Sequence, residues 1–280
     1  MSERPALGNP RAERVRSVRS LSRRSVRQRR ALFVAEGPQA VREAVTHRPE
    51  VVRDLYVDEA VTGRYGELLA TAREAGVPIQ PASDQVLAAM SDTRQPQGLV
   101  AVCRPVDVDL DHALVGVDGA ADAPVFVVVL AHVRDPGNAG TVIRGADAAG
   151  AAAVLVSDAS VDVYNPKVVR SSAGSLFHLP VVVGVPVDEL LDRLGASGLL
   201  LLAADGSGDV VLGDAPLHRS HAWVMGNEAW GLTDDVRDRC DRVVRVPIHG
   251  KAESLNLAMA ATVCLYASAG TLPLRASGPR

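Results

Sequence analysis

Between residues 124 and 268, short apolar runs alternate with segments of helical spacing, and no other feature restricts the fold as strongly. "PVFVVVL" gives way to "PGNAGTVIRGADAAG", a helical pattern, and then to "AAAVLV", apolar again. Continued along the chain, this rhythm predicts strands at 125–131, 152–157, 179–183, 198–204, 221–226 and 242–247. Helices are expected at 138–149, 165–175, 187–195, 232–239 and 254–268. Strands separated by helices form a parallel sheet covered on both faces, because only a crossover can return the chain in the same direction. The fold class is α/β. Such sheets bind ligands outside the carboxyl ends of their strands, so chemistry is expected in the loops that follow them.

A smaller alternation precedes this one. "ALFVAEGPQAVREAVTHR", "VVRDLYVDE", "GRYGELLATAREAG", "VPIQPAS", "SDQVLAAMSD" and "QGLVAVCRP" read alternately as strands and helices and predict a small α/β domain over 31–105. Residues 106–122, acidic and rich in Gly and Ala, read as a linker to a domain over 123–280. With 47% apolar and 22% charged residues, wholesale disorder is excluded. The longest apolar stretches are about half of what a membrane span needs, so no membrane partner is expected. The arginine-rich N-terminus lacks the apolar core of a secretory signal. Cys103, Cys240 and Cys264 have no paired spacing, which suits free thiols in a reducing cytoplasm and predicts no metal.

A net charge of −3 conceals one basic segment: "RAERVRSVRSLSRRSVRQRR" over 11–30 holds nine arginines and a single acid. Two readings exist, a helix docked on its own subunit and an arm that neutralises phosphates. Too few apolar residues recur at regular spacing to favour docking, so residues 1–30 are read as a basic RNA-contacting arm.

Three loops follow strands and carry polar or special-backbone residues: "DPGNAGTVIRG", "VMGNEAWGL" and "VPIHGKAESLNLAMAA". Taken singly, Gly226 and Gly231 read as turn glycines, and Ser254 and Asn138 as N-caps. Their coincidence at three carboxyl ends of one sheet favours a site. No Walker loop, G-x-G-x-x-G turn, serine elbow or H-E-x-x-H is present.

Asn138-x-Gly140-x-x-x-Arg144, Gly226-Asn227-Glu228-x-x-Gly231, and Pro247 followed by Ser254-Leu255-Asn256 resemble the three motifs of the SpoU/TrmH family. These are RNA ribose 2′-O-methyltransferases of the SPOUT superfamily. "FVAEGPQAVREA" and "TRQPQGLVAV" are similar to the family's substrate-binding domain, itself like ribosomal protein L30e. The family usually has Gly where Ala229 stands, a departure that predicts a slightly different backbone path there.

The resemblance implies a C-terminal SPOUT α/β domain with a trefoil knot, S-adenosyl-L-methionine as methyl donor, and a homodimer whose active site borrows from both subunits. It implies transfer to a ribose 2′-hydroxyl, with 23S ribosomal RNA as the expected substrate. A transfer-RNA methyltransferase and a non-catalytic RNA-binding or ribosome-assembly factor stand as alternatives. The cofactor residues it implies are Gly226, Gly231, Val246, Ile248, Leu255 and Ala204. Gly226 and Gly231 would let the backbone approach the cofactor closely. Arg144 would clamp a phosphate and lower the hydroxyl pKa, since a guanidinium is a poor base; the base itself stays open. Asn138, Glu228, Ser254 and Asn256 would orient the reacting groups. On this view the small residues of helix 138–149 permit close packing, while Asn138 and Arg144 project into the methyl-transfer site.

Overall fold

A computed structural model describes residues 6–93, 95–118 and 124–271. In chain order its elements are α1 (Glu13–Arg19), α2 (Arg24–Arg30), β1 (Phe33–Glu36), α3 (Pro38–His47), β2 (Val52–Asp58), α4 (Gly66–Glu74), β3 (Ile79–Ala82), α5 (Asp84–Met90) and β4 (Leu99–Cys103). There follow α6 (Leu110–Asp118), β5 (Phe126–Leu130), α7 (Pro136–Ala149), β6 (Val154–Ser157), α8 (Pro166–Ser171), β7 (Val181–Val185) and α9 (Val187–Ala196). The chain closes with β8 (Leu200–Ala204), β9 (Val210–Val211), β10 (His221–Met225), α10 (Asp234–Asp238), β11 (Arg242–Arg245) and α11 (Leu257–Ala269). Two compact units result: Met1–Val106 with Asp162–His178, and Asp107–Val161 with Leu179–Arg280.

The first unit is built on a mixed sheet of order β1-β4-β2-β3, with β4 antiparallel to both neighbours. Alternate residues Val34, Tyr56, Val100 and Val102 turn to one face and pack with Val15, Val18, Leu21 and Val26 of the N-terminal segment. This corrects the expectation that too few apolar residues recur here for the segment to dock on its own subunit. Val15 and Val18 are three residues apart on α1, and with Leu21 and Val26 they leave at most 5% of their surface exposed. Four apolar anchors suffice because the arginines between them point outward. Leu7 also pairs with Ala82; residues 1–5 of the predicted arm lie outside the described residues.

Arg27 is the exception among the nine arginines, with 5% of its side chain exposed. Its Nε and Nη2 donate to Asp162 Oδ2 at 3.0 and 2.5 Å, and its Nη1 donates to the carbonyls of Leu21 and Ser22 at 2.8 and 2.7 Å. A guanidinium buried this deeply is tolerable only with its donors satisfied.

The second unit carries a seven-stranded sheet of order β7-β6-β5-β10-β8-β11-β9, parallel at every pairing. β5 and β10 are buried throughout, as continuous apolar runs require. One face is covered by α6 and α9. The α6 anchors Leu110, Ala113, Leu114 and Val117 recur at i, i+3, i+4 and i+7, so part of the supposed linker 106–122 is a core helix. Glycine and acidic residues between the anchors obscure that period in the sequence. Residues 119–122 lie outside the described residues. β9, an edge strand beside β11, was also unanticipated.

The other face takes α7 and α11, which pack together: a Cβ on Gly145 would lie 3.5 Å from Thr262 Oγ1 and 3.7 Å from Leu265 Cδ1. The cysteines are unpaired, and burial pushes all three thiols up to about 12. Among the described residues no helix is long and apolar enough to cross a membrane.

Candidate active site

β10 ends at Met225 and its loop closes at once on itself. Asn227 and Gly231 exchange backbone hydrogen bonds of 2.8 and 2.9 Å, with Gly231 at φ +68°. A Cβ on Gly226 would run into the Gly231 carbonyl and sit 2.6 Å from Leu232 N. Gly226 is therefore demanded by the loop's own backbone, independently of any ligand. Ala229 is exposed, outside the left-handed region, and donates its N–H to Asn227 Oδ1 at 2.8 Å.

Asn227, present in the second motif, was given no role in the sequence reading. Its buried side chain also donates to the His132 carbonyl at 2.7 Å, tying the β10 loop to the β5 loop. The next residue, Glu228, accepts from the backbone N–H groups of Arg134 and Asp135 at 3.1 and 3.0 Å and from Asn138 Nδ2 at 3.2 Å. Three donors converging on one carboxylate fix its direction.

Asn138 does not cap α7. The cap is Asp135, whose carboxylate accepts the Asn138 N–H at 2.8 Å, and the helix begins at Pro136. The Asn138 side chain is thus released for other work: its Oδ1 accepts from Asn256 Nδ2 at 3.1 Å. Asn256, not Ser254, caps α11, with Oδ1 accepting the Ala258 N–H at 2.9 Å. Both amide orientations follow, because a carboxylate only accepts and the Asn256 oxygen is already occupied.

Beside this cluster, at the carboxyl ends of β8, β10 and β11, lies a cavity of about 650 Å³. Ala204, Gly226, Gly231, Val246, Ile248 and Leu255, predicted for a cofactor, all line it, as do Glu228 and Ser254. Asp205 and Arg237 line it too, and were not anticipated. The signal for Asp205 was available, since it directly follows the predicted strand 198–204. Burial disfavours its ionisation, but the Ser207 N–H and hydroxyl and the Arg237 guanidinium outweigh that and hold it below the usual carboxylate range.

Arg144 is not gathered into this cavity. Six residues beyond Asn138, it is rotated roughly 240° around α7 at 3.6 residues per turn. It is exposed and makes no hydrogen bond or ion pair among the described residues.

A parallel sheet with a loop-built cavity at its strand ends, in a chain whose two parts match a methylase and a substrate-binding family, defines an RNA ribose 2′-O-methyltransferase. Residues 125–266 match the SpoU rRNA methylase family, and residues 34–108 match the RNA 2′-O ribose methyltransferase substrate-binding family. The chain belongs to the SpoU rRNA methylase family. It is 31% identical over 254 residues to the 23S rRNA (guanosine(2553)-2′-O)-methyltransferase RlmP of Bacillus subtilis, covering 91% of this chain and 95% of that protein. It is 34% identical over 252 residues to the 23S rRNA (uridine(2479)-2′-O)-methyltransferase of Streptomyces viridochromogenes, covering 88% and 85%. The crystal structure of the SpoU methyltransferase AviRb from Streptomyces viridochromogenes, in complex with AdoMet, superposes with a TM-score of 0.79 at 32% identity. That superposition covers 92% of this chain and 98% of the other.

Proposed function

We propose that this protein transfers the methyl group of S-adenosylmethionine to a ribose 2′-hydroxyl of 23S ribosomal RNA, and does so in the cytoplasm as a homodimer. The observation that carries this reading is the hydrogen-bonded junction of three strand-end loops through Glu228, Asn138 and Asn256, of which Glu228 lines the cavity. Relatives named as 23S rRNA 2′-O-methyltransferases and an AdoMet complex of similar structure support it. Family membership likewise supports a trefoil knot in the second unit and an L30e-like first unit.

The cavity suits the cofactor. Val246, Ile248 and Leu255 offer apolar walls to a purine, and its volume lies within the range of small-molecule sites. Glu228 and Glu253 complement a ligand whose sulfonium and ammonium are positive. When bound, S-adenosylmethionine supplies a methyl group on a cationic sulfur, poised for in-line displacement by oxygen.

The chain's own residues then have to hold the hydroxyl in line and draw off its proton. Glu228 and Asn138 are prearranged by the hydrogen bonds above, so no reorganisation is required on substrate entry. Arg144 has no ion-pair partner among the described residues, and its guanidinium is available to a phosphate. In a two-fold dimer it would serve the partner's cavity. α11 supports such a dimer, exposing Met259, Val263 and Tyr266 at i, i+4 and i+7, each more than 40% accessible.

Incubation with labelled S-adenosylmethionine and separated ribosomal and transfer RNA tests the reading. Label is expected in 23S rRNA, as a 2′-O-methylnucleoside after hydrolysis. Label confined to transfer RNA would overturn the substrate, and no cofactor binding by calorimetry would overturn the activity.

A further inference from the structure

Helix α3 carries Gln39, Glu43 and His47 at four-residue intervals, and so on one face. Glu43 Oε1 accepts a hydrogen bond from Gln39 Nε2 at 2.9 Å. Its other oxygen faces two imidazoles, with His178 Nε2 at 3.1 Å and His47 Nε2 at 3.4 Å. The two rings meet edge to face with centroids 4.6 Å apart. All three ligand atoms lie within 4.8 Å of one another.

The methyltransferase chemistry uses none of these residues, yet the arrangement is built. The chain reaches His178 through Gly174 at φ +99°, where a Cβ would collide with the Glu43 side chain. Only glycine brings the 162–178 segment so near the carboxylate. We propose that Glu43, His47 and His178 bind one divalent transition-metal ion of the Zn²⁺ class, clipping this segment to α3 within the first unit.

Several features favour a metal over a plain hydrogen-bonded cluster. Separations of 3.1 and 3.4 Å, which are within hydrogen-bonding and ion-pair range, also match two edges of a tetrahedral shell with bonds of roughly 2.0–2.1 Å. Two imidazoles and one carboxylate form a borderline donor set, which selects Zn²⁺ over Mg²⁺ or Ca²⁺. Gln39 supplies the outer hydrogen bond that aims the ligating carboxylate. His47 is 49% exposed, which leaves a fourth position open to water.

The test uses the untagged full chain, stripped with chelator, desalted, and titrated at neutral pH with Zn²⁺ alone and Co²⁺ alone. One equivalent of each is expected to bind saturably. Zn²⁺ should raise the melting temperature by mass action, reversibly on adding chelator. Co²⁺ should give the visible absorption of a four- or five-coordinate ion. His47→Gln, at an exposed position, and His178→Gln should abolish the Co²⁺ band while the stripped proteins melt like stripped wild type. Gln39→Ala should weaken binding about tenfold. Absence of a saturable Co²⁺ band, or a band that survives in both histidine variants, overturns the proposal.

Discussion

Asn256 donates its side-chain amide to Asn138 Oδ1 across 3.1 Å, joining the residue that caps α11 to the first turn of α7. Because Asn138 in turn holds Glu228, loosening either asparagine misaims the carboxylate without emptying the cavity. Asn138→Ala should bind S-adenosylmethionine nearly as wild type and lose roughly 10²-fold in single-turnover rate, the cost of a small misplacement. Calorimetry and rapid-quench methylation separate the two effects. A variant equally weakened in cofactor binding would contradict this.

Arg144→Ala should likewise keep cofactor affinity and lose most turnover, as when an interaction belongs to the transition state. If Arg144 serves the partner's cavity, mixing it with inactive Glu228→Gln should restore activity. Random reassortment of a two-fold dimer would give roughly a quarter of wild-type activity, since half the dimers hold one intact site. No recovery after verified subunit exchange would place Arg144 and Glu228 in the same subunit's site.

Substitution at Gly226 should act through the loop. Gly226→Ala drives a Cβ into the backbone of Gly231 and Leu232, an overpacking of about 1–3 kcal/mol. The melting temperature of the protein without cofactor should therefore fall together with cofactor affinity. Unchanged stability with lost affinity would instead indicate a purely ligand-facing glycine.

The basic N-terminal segment offers two separable roles. Arg27→Ala removes one partner of a buried pair and should cost about 3–5 kcal/mol in urea unfolding. Arg16, Arg19, Arg23, Arg24 and Arg29 are exposed. Replacing those five by Gln should spare stability and flatten the dependence of log RNA affinity on log salt, by roughly 0.7–0.9 for each phosphate no longer neutralised. The methylated nucleotide should not change, since interactions with phosphates position the RNA without specifying its sequence. An unchanged slope would leave the segment a purely structural one.

Acid sensitivity should trace in part to His221. Burial pushes its pKa down, with partial relief from the Arg219 carbonyl, and the ring lies between that carbonyl and Ser268 Oγ, 2.7 Å from each. The folded state then holds His221 neutral while the unfolded chain protonates it. Its contribution is full above the unfolded pKa of about 6.5 and is lost as pH falls from there toward the depressed folded value. Urea midpoints between pH 5 and 7.5 should fall less steeply for His221→Gln than for wild type. Identical slopes would exonerate this histidine.

The alternation of apolar runs and helical spacing was sufficient to place the parallel sheet, its strand ends and the three loops that follow them, because those periods are local properties of the chain. Asn138 was legible as a site candidate from its place at a strand end, and Glu228 and Asn256 from their resemblance to the SpoU/TrmH motifs. Their mutual hydrogen bonds, joining residues 90 and 118 positions apart, were not. The docking of Val15, Val18, Leu21 and Val26 was also hidden, since four anchors among nine arginines acquire meaning only against the face of Tyr56 and Val100. So was the reason for Gly226, which is the nearness of Gly231, and the absence of Arg144 from the cavity. Periodicity tells which face of an element is buried. What that face meets, and which amide satisfies which carboxylate, depends on distances that exist only once the sheet has closed its loops upon one another.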